Sequence, residues 1–444
     1  MTGILLDLAY AVLLVATSPM WLYRMVRYGR YRQDIGQRFG AVPRRYGLQP
    51  TIWIHGVSLG EVNAARTLVA ELHNQLPDYR VVVSSTTATG IAAARRIFAP
   101  AHMVFRWPLD FSLSVRMALG RIRPAMVVLM EGEVWPNFVS ACRKRRVPVA
   151  VVNGRMSADK GYPGYRRLGP LAARLFGGVT AFGVQDASYA ERFASLGVEP
   201  DRLHVTGMMK FDTAEVAERL DGQDALAEAL GVTAEQKLIV AGGTGPGEEE
   251  IVLGVFAELK ARHGDARLAI VPRKPERFAE VARLIASRGF EVVRRSERGD
   301  GAEGGVPTDA VILGDTMGEL RKFYALGSAV FVGRSLVEMG GSDMIEAAAL
   351  GKATAFGPHT FNFPQADALA AHGCVRVADA GELTGQLDAW LSDVAAADAA
   401  GRAAQDYVRS AQGATKRNVE MICRVLDRVP PAAEGGIATN TIAE

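Results

Sequence analysis

Cysteine is scarce in this sequence. The three present, Cys142, Cys374 and Cys423, stand far apart with no CxxC or CxxH spacing. That excludes a disulfide framework and a cysteine-based zinc site, and it suits a reducing compartment. Net charge is nearly absent too: +3 over 444 residues is too little to argue for a nucleic-acid partner, and no basic run is interleaved with aromatics that would stack bases. Internal repeats are missing as well, which removes solenoids and propellers. What remains is a chain with 49% hydrophobic residues, 22% charged residues and 47 glycines, the composition of a globular protein with many tight turns. Its length implies two cores of roughly 150 to 200 residues each.

Acidic residues are almost missing from one stretch. Arg24, Arg27, Arg30, Arg32, Arg38, Arg44 and Arg45 face Asp34 alone. The segment before them, ILLDLAYAVLLVATSPMWLY, is long enough to cross a hydrocarbon core of roughly 30 Å as one helix. No basic residue precedes it and no small-residue cleavage site follows, so residues 1–23 read as an uncleaved membrane-anchor helix. The arginines on its C-terminal side place the rest of the chain in the cytoplasm. Asp7 and Pro19 are unusual for such a helix; the other readings are a helix lying in the membrane interface or one packed against the protein.

Strand-like and helical runs then alternate. TIWIHGV, YRVVVSST, PAMVVLM and VPVAVVN have the continuous Val/Ile character of strands buried on both faces of a parallel sheet, with helical segments such as EVNAARTLVAEL between them. The pattern restarts with QKLIVAGGT, RLAIVPR and AVILGD. The reading is α/β: a first doubly wound, Rossmann-like domain over 24–206, a linker over 207–235, a second over 236–380, helices over 381–428 and a disordered tail over 429–444. Ligands of such sheets bind at the carboxyl ends of the strands, so two facing domains imply a cleft.

Candidate site residues fall at those strand ends. In WIHGVSLGEV, Ser58, Gly60 and Glu61 occupy a strand-to-helix corner. Ser58 with Glu61 three residues on is a capping box that needs no chemistry; the functional reading makes Glu61 a general base. EGEVWPNF sets Glu131 and Glu133 beside Trp135, either to bind substrate or to pair with Arg155 or with the arginines of CRKRR. NGRMSADK supplies Asn153, Arg155, Ser157 and Lys160, suited to an anionic ligand or simply a charged loop. In the second half, AGGTGPGEEE ends a strand and opens a helix, so Gly243 and Thr244 suit a phosphate although neither a Walker loop nor a GxGxxG pattern is present. Arg273, Lys274 and Arg277 follow in IVPRKPERF. Ser335, Gly340, Gly341, Asp343, Glu346 and His359 lie in the block FVGRSLVEMGGSDMIEAAALGKATAFGPHTFNF. There Glu346 is either a ribose clamp or a solvent-facing charge.

Together, WIHGVSLGEV, EGEVWPNF, NGRMS, MMKFD, GGTGPGEEE, PRKPERF, GDTMGEL and GGSDMIEAAALGKATAFGPHTFNF, in this order over nearly the whole chain, resemble the 3-deoxy-D-manno-octulosonic acid (Kdo) transferase family. The resemblance implies a GT-B fold of two Rossmann-like domains facing a cleft, anchored at the cytoplasmic face of the inner membrane. It implies an inverting transfer of Kdo from CMP-Kdo to a lipid A precursor, with no metal or cofactor. Glu61 would be the base, with Ser58, Gly60, Glu131, Glu133, Arg155 and Lys210 on the acceptor side. Gly243, Thr244, Pro272, Arg273, Gly314, Met317, Ser335, Gly340, Gly341, Asp343 and Glu346 would hold the donor. The departures cluster in the donor half and linker: GGSDMIE stands for the usual GGHN-P-x-E, GMMKF for G-N-x-KF, PRKPERF for PRHPER and GGT for GST. Either the CMP-Kdo contacts differ here or the donor does. A sugar-nucleotide epimerase and a non-catalytic lipid or glycan binder are the rival readings.

Overall fold

The computed structural model describes residues 2–29, 32–159, 161–233, 235–299 and 306–428. Lys160 and the expected tail over 429–444 lie outside the described residues. The described chain divides into two compact units. One runs to Thr213 and resumes at Gln412; the other is Ala214–Ala411.

The first unit is built on seven strands: β1 (Thr51–His55), β2 (Arg80–Ser85), β3 (Met103–Arg106), β4 (Met126–Met130), β5 (Val149–Gly154), β6 (Ala181–Val184) and β7 (Leu203–Val205). All pair in parallel, in the order β3-β2-β1-β4-β5-β6-β7. Alternate residues feed opposite faces. Trp53, Val127, Leu129, Val149 and Val151 enter one core, while Ile52, Ile54, Val128, Ala150 and Val152 enter the other. A strand with both faces covered has no polar side to offer, and each buried aliphatic contributes about 1.5 to 3 kcal/mol, which is why these segments are unbroken apolar runs. Val128→Asp would place an unpaired charge in such a core and break the sheet there.

The second unit repeats the design with β8 (Lys237–Thr244), β9 (Ala266–Pro272), β10 (Val292–Arg294), β11 (Val311–Leu313), β12 (Ala329–Val332), β13 (Thr354–Phe356) and β14 (Val375–Arg376). These are parallel in the order β10-β11-β9-β8-β12-β13-β14. In each sheet the winding direction reverses once, between β1 and β4 and between β8 and β12. At such a switch point the loops leave in opposite directions, and a crevice opens outside the carboxyl ends of the two strands.

The expected single anchor helix is corrected. Residues Thr2–Ala16 and Ser18–Tyr28 form two helices bent by 54°. Among the described residues no single helix is long and apolar enough to cross a membrane, although this bent pair passes the same test by length and composition. The cause is Pro19, which sits in the first turn of the second helix and cannot continue a preceding one. Asp7 is explained by packing: its Oδ1 accepts the Ser112 N–H at 2.9 Å and the Asn137 Nδ2–H at 3.0 Å, and Tyr10 donates to Asp110 at 3.1 Å. The C-terminal helices divide between the units: Ala380–Ser392 and Val394–Ala411 belong to the second, Ala414–Asp427 to the first.

Candidate active site

Glu61 stands in the crevice between β1 and β4. The chain leaves β1, turns at Gly56–Ser58 and enters the helix Leu59–Gln75, with Ser58 extended at its N-cap. The capping box is present. Ser58 Oγ accepts the Glu61 N–H at 3.3 Å, while the Glu61 carboxylate accepts the Val57 N–H at 2.8 Å and the Ser58 N–H at 3.2 Å. The cap and the functional reading are therefore compatible: two N–H groups fix the carboxylate's orientation and leave each oxygen a further lone pair. Glu61 is 6% exposed. Burial pushes its pKa up to about 7 against the pull of the Val57 and Ser58 hydrogen bonds, with Glu131 and Glu133 raising it further. Gly60 is exposed, and a Cβ there would meet nothing nearer than Ser58 Oγ at 3.8 Å.

Glu131 follows β4 with φ +59, a left-handed conformation unusual for a side chain with a Cβ. Its carboxylate takes Arg155 Nε at 2.7 Å; burial raises its pKa and the Arg155 charge opposes that. The arginine partner foreseen for this acidic corner is thus Arg155, from the loop after β5. Glu133 is more exposed, and burial and the neighbouring Glu131 raise its pKa. Lys210 is near enough for its charge to act on Glu131. The link that brings it there is Asn153, also at positive φ, whose Oδ1 accepts the Met209 N–H at 3.0 Å. Strained backbone at Glu131 and Asn153 beside one crevice is the pattern of a functional site. Beneath it, His55 is buried, stacked on Trp107 at 3.8 Å between ring centres and hydrogen-bonded to Ser84 and Thr86. Burial drives its pKa down to about 3, so it is neutral at pH 7.

The remaining candidates lie in the second unit, around β8 and β12. Gly243 has φ +67, and a Cβ there would meet Ser342 Oγ at 2.7 Å. That hydroxyl donates to the Gly243 carbonyl at 2.8 Å. Thr244 is buried and donates to Glu249 at 3.0 Å. Pro272 closes β9, and Arg273 beyond it donates its N–H to the Thr244 carbonyl and exposes its side chain. Ser335 is buried, donating to the Val332 carbonyl at 2.6 Å and accepting from the Gly357 N–H at 2.8 Å. Gly340 and Gly341 both have positive φ, and the Gly341 N–H returns to the Arg334 carbonyl. Asp343 accepts the Ile345 N–H at 3.2 Å, and Glu346 is half-buried in the short helix Ile345–Ala348. Gly314 and Met317 follow β11, the neighbour of β9; the Gly314 N–H donates to the Ile270 carbonyl at 2.9 Å, and Met317 is 71% exposed.

Sequence reasoning missed three buried polar groups here. Glu248 and Glu249 are fully buried, although nothing in GPGEEE separates a buried glutamate from a solvated one. Tyr324 is buried under Gly242, its hydroxyl unpartnered among the described residues, within electrostatic reach of Glu346, Asp343 and Arg273. Among the described residues no three His, Cys, Asp or Glu side chains are grouped as a metal ion would require.

Comparison with known proteins gives the family and the fold. The family profile described as 3-Deoxy-D-manno-octulosonic-acid transferase (kdotransferase) matches residues 33–213. The 3-deoxy-D-manno-octulosonic acid transferase of Bordetella pertussis is 34% identical over 434 residues, covering 93% of this chain and 98% of that protein. The chain belongs to this transferase family. The Haemophilus influenzae member is 30% identical over 432 residues, 94% of this chain and 98% of its own. The family's named reaction is glycosyl transfer, so the chain is a glycosyltransferase. Its GT-B fold is shared with a glycosyltransferase of Rickettsia africae (TM-score 0.55, 12% identity, 86% of this chain and 100% of that one). It is shared too with a putative UDP-N-acetylglucosamine 2-epimerase of Listeria monocytogenes (TM-score 0.57, 14% identity, 86% and 98%). At such identities the likeness is one of fold alone. The chemistry then has to be sought in the strand-end loops.

Proposed function

We propose that this Kdo transferase moves Kdo from CMP-Kdo to a hydroxyl of a lipid A precursor, with inversion, and that Glu61 is the general base. The observation that carries the reading is the Glu61 carboxylate, buried at a switch point with a pKa near 7 and held by two N–H groups. A base of that pKa is half deprotonated at neutral pH and still able to take a proton. Glu61 removes the acceptor hydroxyl proton and the hydroxyl oxygen bonds to the anomeric carbon. The bond from that carbon to the phosphate oxygen breaks, and CMP leaves with the electron pair. Lys210 and Arg155 supply positive charge beside the acceptor-side carboxylates; Arg273 and the Gly243–Thr244 turn serve the departing phosphate.

The acceptor is a membrane lipid, and the bent helix pair suits a protein resting on the cytoplasmic face of the inner membrane. Ile4, Leu5, Leu8, Val12, Leu22 and Val26 are exposed on it, and the arginines that follow favour an anionic surface by roughly 1 kcal/mol each.

The test is transfer from CMP-Kdo to a detergent-solubilised lipid A precursor, wild type beside Glu61→Gln. Product from the wild type, with a loss of roughly 10²- to 10⁴-fold in the folded variant, is expected. Equal activity removes Glu61 as base. No product from a folded wild type that still binds CMP points to a different sugar donor.

A further inference from the structure

Glu248 opens the helix Glu248–Arg262 directly after the β8 loop and is 0% exposed. Its carboxylate is saturated by backbone. Oε1 accepts the N–H groups of Ser335 at 2.9 Å and Leu336 at 3.0 Å; Oε2 accepts those of Gly245 at 3.3 Å and of Arg334. Residues 334–336 leave β12 with Arg334 at φ +58, so three successive N–H groups converge on one point. Such a concavity is an anion nest, the kind of site that elsewhere takes a phosphate oxygen. Here the protein's own carboxylate fills it. Gly333 completes the fit, since a Cβ there would lie 2.6 Å from Glu248 Oε2. The next residue, Glu249, is equally buried and receives Thr244 Oγ1 at 3.0 Å and a two-pronged contact from Arg277. Two adjacent carboxylates thus fasten the loops after β8, β9 and β12 to the start of one helix.

We propose that Glu248 is a positioning residue of the donor half: by occupying the nest at residues 334–336 it preforms the β12 loop that carries Ser335, so that the nucleotide sugar meets a surface already in shape. The inference rests on reading the second unit as the donor side. A glutamine in its place has one acceptor oxygen, and its NH2 group points donors at donors, leaving some of the four N–H groups unpaired.

The experiment measures amide hydrogen exchange at 334–336 in the full chain without ligand, wild type beside Glu248→Gln, followed by steady-state kinetics with CMP-Kdo. Exchange faster by roughly tenfold or more is expected in the variant. A donor KM raised by roughly tenfold is expected with it, at a kcat within about threefold and an unchanged acceptor KM. Glu258→Gln, on the exposed face of the same helix, should alter neither. Unchanged exchange overturns the proposal, as does faster exchange with an unchanged donor KM, or equal losses toward both substrates. If the wild type turns over no CMP-Kdo, the donor reading fails, and the exchange comparison alone decides whether Glu248 holds the loop. If Glu248→Gln does not fold, the wild type decides: protection of 334–336 before CMP is added supports preformation, and protection that arises only with CMP refutes it.

Discussion

Glu61 has to be a carboxylate to act as a base, yet its surroundings favour the acid. Burial raises its pKa from 4.5 to about 7, and the Glu131 and Glu133 charges add to that. Two consequences follow at the scale of one residue. If Glu61 is the base, the rate depends on its deprotonated form, and kcat/KM should climb as pH rises through about 7. Glu133→Gln removes one repulsive neighbour and should move that limb to lower pH; a limb that stays in place would detach Glu133 from the site. Stability runs the other way. Between 4.5 and about 7 the folded state binds more protons at Glu61 than the unfolded state does. The contribution is therefore full below 4.5 and is lost as pH rises through the folded value, on the order of a few kcal/mol. Urea denaturation at pH 5 and pH 8 should show that Glu61→Gln lacks this part of the wild-type decline. The corner itself was legible, because Ser58 and Glu61 are spaced as a capping box at the end of an apolar strand. The pKa was not, because desolvation depends on what the remaining chain folds over it, as does the neutrality of His55.

At the scale of elements, the N-terminal helices carry a similar division. Their apolarity, the arginines after them and the Pro19 that breaks them can be read directly; the engagement of Asp7 and Tyr10 by the first unit cannot. Asp7 accepts from Ser112 and Asn137, bonds to a charged group worth about 1.5 to 3 kcal/mol each. Asp7→Ala should therefore lower the thermal midpoint of the folded chain by several degrees while leaving binding to anionic vesicles intact. An Asp7→Ala variant with unchanged stability would mean the helix is not fastened there. If the bent pair rests on one leaflet, cysteines introduced at Thr2 and Arg27 should both be labelled from the cytoplasmic side of sealed inverted vesicles, against a background whose native thiols are buried or half-buried. Labelling from opposite sides would instead make the pair a broken span.

For the whole molecule, the Val/Ile runs announced most of the strands because parallel strands covered on both faces have no alternation to lose. Short strands such as Val375–Arg376 carried too few residues to declare themselves, and the buried Glu248 and Glu249 look like surface charges until the loops they hold are folded around them. That the helices over 381–428 pack back on both units is an expectation the sequence allows; which core the last one enters is not. Ala414–Asp427 returns to the first unit, where Val419, Met421 and Ile422 join the core under Ile52 and Val128, and Asp212 accepts the N–H groups of Gly413 and Thr415 at its start. Each of those apolar side chains is worth about 1.5 to 3 kcal/mol on burial, a sum comparable to the whole stability of a domain. Calorimetry of the full chain should then resolve two transitions. Removing residues from 412 onward should abolish or sharply lower the one belonging to the first unit and spare the other. CMP at about 100 times its Kd should raise only the transition of Ala214–Ala411, by about 2.7 kcal/mol in stability. If CMP instead raises the transition lost on truncation, the nucleotide sits with the Glu61 crevice, and the division of donor and acceptor between the units has to be reversed.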